Sequence, residues 1–107
     1  MNFEKIGFNT GQAIGDFLYC SALKLNGLFK VNIFSGETFF LDYFPEEDFS
    51  GVMLFRESHI YKRNIIFVPQ SANKIAIYNI DSKEFKQIKL DEKAICASCL
   101  VDVYYMS

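Results

Sequence analysis

The sequence predicts an all-β chain: two similar four-stranded antiparallel units, with one further strand after them. Three observations predict this class. Runs rich in Ile, Val, Phe and Tyr alternate from side to side and are separated by short Gly, Asn, Asp and Ser turns, the pattern of half-buried strands. Sliding the chain by 47 residues lays "VNIFSGETFF" on "YNIDSKEFKQ", with Asn32 on Asn79, Ile33 on Ile80, Ser35 on Ser82 and Glu37 on Glu84, four identities in six positions. Helical readings do badly, because the one patch with helical spacing, Phe39, Phe40, Tyr43 and Phe44, lies between Gly36 and Pro45.

The first unit takes residues 1–45. Its strands are "KIGFNTGQAI", "DFLYCSALKL" and the two arms of the hairpin "GLFKVNIFSGETFFLDYF". In that hairpin Leu28, Lys30 and Asn32 face one side and Phe29, Val31 and Ile33 the other, and Gly36 is free to take positive φ at the reversal. "PEEDFSG", residues 45–51, has room for no more than a single helical turn and reads as the loop between units. The second unit takes residues 50–91, starting with "GVMLFRESHIY" and "NIIFVPQSA". Pro69 lacks a ladder donor and points to an edge strand or a bulge. The second hairpin, "KIAIYNIDSKEFKQIKL", sets Ile75, Ile77 and Asn79 against Ala76, Tyr78 and Ile80 and turns at Asp81, Ser82 and Lys83. Upstream Asn26 falls on Asn73 and Leu28 on Ile75, and downstream Leu41-Asp42 meets Leu90-Asp91 after a two-residue adjustment. "AICASCLVDVYYM", within residues 94–107, is an extra strand where a third unit would begin, and the whole chain, 1–107, reads as one domain.

The phrases "NGLFKVNIFSGE" and "NKIAIYNIDSKE", one in each four-strand unit, resemble the blade pattern of uncharacterised bacterial propeller-type repeat proteins, over residues 15–90. The Trp-Asp dipeptide of WD40 blades and the Gly-Gly doublet of kelch blades are absent. The resemblance implies a partial β-propeller. A propeller typically has about four to eight blades, and two blades leave an apolar face at each end. Twelve Phe and six Tyr in 107 residues supply more apolar area than a small monomer easily hides. A homo-oligomer follows, with a trimer of six blades favoured and the extra strand completing a blade in a neighbouring chain. The other outcome of the same count is a remnant of a longer propeller.

A net charge of −2 gives no footprint for nucleic acid. The start, "MNFEKIGFNTG", lacks an apolar signal core, and the longest apolar runs, Ile65 to Val68 and Ala94 to Val101, are strand-sized, so a cytoplasmic protein without a membrane span is expected. Three cysteines suit a reducing compartment better than a disulfide framework.

Chemical motifs are few. Cys96 and Cys99 have C-x-x-C spacing, but in a strand positions three apart face opposite sides, so they read as buried small residues, as does Cys20. In "RESHIYKR", Ser58 and His59 stand on opposite faces of a strand, which works against a catalytic triad with Glu57. Glu46, Glu47 and Asp48 read as a solvated loop, and "GQAIG", residues 11–15, as a turn or bulge. No catalytic residue, metal site or cofactor is assigned. The candidate ligand-binding residues are Tyr19, Asn26, Asn73 and Lys74, with Phe29 and Tyr78 as further rings to stack on a sugar or a peptide. The function expected is a non-catalytic interaction or ligand-binding module, for a protein or glycan, that self-associates. The alternative is a glycan-active enzyme whose site forms only between subunits.

Overall fold

The computed structural model describes residues 7–89. The expected extra strand, with Cys96 and Cys99, lies outside them. The described residues form eight strands and no helix: β1 (Phe8–Ile14), β2 (Phe17–Ala22), β3 (Leu28–Asn32), β4 (Thr38–Asp42), β5 (Phe55–Tyr61), β6 (Asn64–Pro69), β7 (Lys74–Asn79) and β8 (Glu84–Lys89). They make two antiparallel meanders, β1-β2-β3-β4 and β5-β6-β7-β8, so the all-β class is the one observed. No helix among the described residues is long and apolar enough to cross a membrane.

The 47-residue spacing extends to the turn chemistry. β1 and β2 lie 47 residues before β5 and β6, from first residue to last. In the first unit Asn32 Oδ1 accepts from Phe34 N and Ser35 N, at 2.9 and 3.0 Å. In the second, Asn79 Oδ1 accepts from Asp81 N and Ser82 N, at 3.0 and 2.8 Å. This is an Asx turn in both copies, and it explains why the asparagine recurs. Each turn closes through a left-handed residue, Gly36 at φ 75° or Lys83 at φ 60°, whose N–H donates to the asparagine carbonyl. Because Gly36 has positive φ and no atom near its missing Cβ, Gly36→Ala is expected to cost about 1 kcal/mol through the backbone alone. A urea-unfolding midpoint unchanged from the parent would contradict this.

Two details differ from the expectation, the repeat partner of Leu41 and the extent of the first turn, while Pro69 meets the bulge half of its own. β4 and β8 pair with β3 and β7 at the same 47-residue spacing, which puts Leu41 opposite Ile88 in the repeat rather than Leu90. The adjustment inferred from sequence is instead a bulge on β4, where Leu28 partners Asp42 while Phe29 partners Phe40. Pro69 ends an inner strand, and its partner Phe55 borders the bulge on β5. Gly11 to Ile14 belong to β1, and only Gly15, at φ 61°, makes the turn.

Each sheet has a front and a back, and the front of the second packs on the back of the first. Phe55, Ile65, Phe67, Ala76 and Tyr78 from the front of sheet two meet Ile14, Tyr19, Leu28 and Leu41 from the back of sheet one. The front of sheet one carries a second cluster, Cys20, Ala22 and Phe29 with Phe8, Leu18 and Val31 around it. Phe8, Leu18, Cys20, Phe29 and Val31 stand 47 residues before Phe55, Ile65, Phe67, Ala76 and Tyr78. One set of repeat positions therefore builds both clusters. The sheets approach most closely at β1 and β5. There Thr10 Oγ1 lies 2.8 Å from Ser58 Oγ and Gln12 Nε2 donates to Ser58 O at 2.8 Å, a polar seam. Farther from this seam the linker residue Phe44 fills the space between the sheets, with ring centroids 4.4, 5.1 and 5.3 Å from Phe55, Phe67 and Phe85.

Candidate functional site

Two places gather the residues singled out from the sequence. The first is the linker after β4. Asn26, fully buried, accepts from Phe44 N at 2.7 Å and donates to Phe44 O and Glu47 O at 3.0 and 3.2 Å. Its amide is thus engaged in holding the backbone that carries Phe44 into the core. Asn73, its repeat partner, is exposed, and its N–H and Nδ2 donate to the Glu47 carboxylate at 3.1 and 3.2 Å. Lys74 pairs with Glu46. The linker therefore joins both repeated asparagines, and it consists of turns with no helical segment.

The acidic run is engaged in the same way. Asp48 Oδ1 accepts from Ser50 N at 2.9 Å and Ser50 Oγ at 2.8 Å, which holds its carboxyl below the usual carboxylate range. Among the described residues no group of three or more His, Cys, Asp or Glu is placed to share a metal ion. Ser58 faces sheet one, and its hydroxyl lies beside Thr10 and Gln12. His59 Nε2 lies 3.6 Å from Glu57 Oε2 on the other side of β5. That separation of faces keeps the hydroxyl away from the imidazole. The Cys20 thiol is pushed up to about 12 by burial, so it is a core group and not a nucleophile.

The second place is a cleft between the sheets of about 250 Å³, lined by Tyr19, Lys30, Phe40, Leu41, Asp42, Tyr78, Ile80 and Lys83. Antiparallel register sets Tyr19 directly beside Lys30 on the back of sheet one. The Lys30 ammonium lies 4.4 Å from the Phe17 ring centroid and 5.6 Å from that of Phe39, a cation–π arrangement that fixes the side chain. From sheet two come Tyr78, whose ring packs against Phe85 at 4.9 Å, and the turn residues Ile80 and Lys83. Burial raises the Tyr78 phenol above its ordinary value, with Tyr19 and Asp42 adding to the shift, so it is a neutral donor at physiological pH.

The four candidate residues are thus divided: Tyr19 lines the cleft, while Asn26, Asn73 and Lys74 cluster at the linker. Phe29 is fully buried in the front cluster of sheet one and does not line the cleft. Sequence reasoning missed Lys30, Asp42 and Lys83. A signal for Lys30 was present: it interrupts the side of β3 that Leu28 commits to the core, and a lysine there needs an opening. No protein family, curated protein or solved structure matches the chain.

Proposed function

We propose that the chain is a non-catalytic interaction module that stacks head to tail with further copies of itself, completing a propeller-like ring. The observation that carries this reading is the front-on-back packing of the two sheets. A contact between unlike faces can repeat from copy to copy, and such contacts propagate until a ring closes. The asymmetry between repeat partners supports it. Ile80 packs against the core between the sheets, whereas Ile33, the same position in sheet one, is 51% exposed. Along the same side Phe40, Tyr43 and Phe49 stack edge-on at 5.0 and 4.7 Å, all three exposed. An aromatic surface of this kind marks an interaction face.

The counterpart is the back of sheet two in another copy, where Ile66, Ile75 and Ile88 stand at the positions of Tyr19, Leu28 and Leu41. Ile66 and Ile75 are buried within the single chain too. Joining at that face therefore exchanges one cover for another, in the manner of strand exchange between protomers. Absolute mass by light scattering across a tenfold dilution tests the reading. A trimer is expected, six blades being within the usual range. Ile33→Asp is expected to shift the mass toward monomer while far-UV circular dichroism stays unchanged. A stable monomer at every concentration overturns the proposal.

A further inference from the structure

The cleft between the sheets adds a ligand to that reading, and the proposal rests on the chain being a binding module. We propose that the cleft binds a small, hydroxylated anion of monosaccharide size, an acidic sugar. Three features of the cleft converge on this chemistry.

The first is size. At about 250 Å³ the cleft falls just below the ~300–1,000 Å³ typical of sites for drug-sized ligands. A single sugar ring suits it better than an extended peptide.

The second is a pair of phenols. Tyr19 and Tyr78 both line the cleft, one from each sheet. Their hydroxyls offer a ligand two groups that can donate or accept.

The third is charge and wall chemistry. Lys30 and Lys83 oppose the single carboxylate of Asp42, which leaves the cleft net positive. A carboxylate on the ligand meets the two ammonium groups, and ring hydroxyls are what Asp42 accepts from. Leu41 and Ile80 supply an apolar wall for the C–H face of the ring. Inorganic phosphate satisfies the lysines, and its P–OH can donate to Asp42, but it gives the apolar wall nothing to cover.

The test is titration of the full ¹⁵N-labelled chain, followed by NMR, with glucuronate, glucose and inorganic phosphate in separate arms. Glucuronate is expected to give saturable shifts at Tyr19, Lys30, Tyr78 and Lys83, with glucose about tenfold weaker for want of the charged partner. Tyr78→Phe keeps the ring and its packing, and Lys30→Gln keeps the length of the side chain. Each is expected to weaken glucuronate by about five- to tenfold with little change in the unfolding midpoint. No saturation by about 10 mM glucuronate, or equal titration by phosphate, overturns the proposal. A chain that titrates at the cleft but stays monomeric in light scattering keeps the ligand and loses the ring, and the reverse result does the opposite.

Discussion

Replacing Phe44 by alanine is expected to destabilise the chain by about 3–5 kcal/mol, the largest single effect of any substitution in the linker. Phe44 is 2% exposed although it belongs to neither sheet. Its ring packs against Phe55 from β5, Phe67 from β6 and Phe85 from β8 at centroid distances of 4.4 to 5.3 Å. Leu28 from the back of sheet one belongs to the same cluster. Alanine removes the ring on which both sheets converge, and the polar seam at β1 and β5 keeps the far edge from collapsing into the gap. A cavity is left rather than closed, which is the costly case. Urea unfolding followed by circular dichroism measures it. Phe34→Ala is the control, since Phe34 is 83% exposed and its loss is expected to stay within about 0.5 kcal/mol. A Phe44→Ala cost under about 1 kcal/mol would show that the sheets are held by something other than this shared core.

Most of the architecture was legible in the sequence because strand alternation and turn chemistry are local. Asn32 and Asn79 announced the same Asx turn 47 residues apart, and the two turns match bond for bond. How the units stack was not legible. Leu28 and Phe29 are both apolar and both fully buried, so alternation on β3 did not say which face meets the second sheet. The answer lies in volumes paired across the interface. Phe67 stands where sheet one has Cys20, and the larger front of sheet two, with Phe44 added from the linker, fills the space over the back of sheet one. The cleft was hidden for a related reason. Tyr19 and Tyr78 come from different repeats and from positions that are not repeat partners, so self-comparison of the sequence could not bring them together.

The two repeated asparagines yield the second large effect, and comparing them tests what the repeat is for. Asn26→Ala is expected to cost about 2–4 kcal/mol, because Phe44 N, Phe44 O and Glu47 O all lose the same partner. At least two of those backbone groups sit where water cannot replace the amide, since Phe44 itself is buried. The damage is also transmitted, as the residue whose backbone is released is the one whose ring joins the sheets. Asn73→Ala removes a single side-chain bond to an exposed carboxylate and leaves the Asn73 N–H donating to Glu47, so a change within about 0.5 kcal/mol is expected. Unfolding of both variants, measured side by side, reads the difference. A gap of about 2 kcal/mol or more would assign Asn26 to the architecture, as a clamp on the linker that follows its own sheet. Equal costs would mean that Asn73 is as deeply engaged as Asn26.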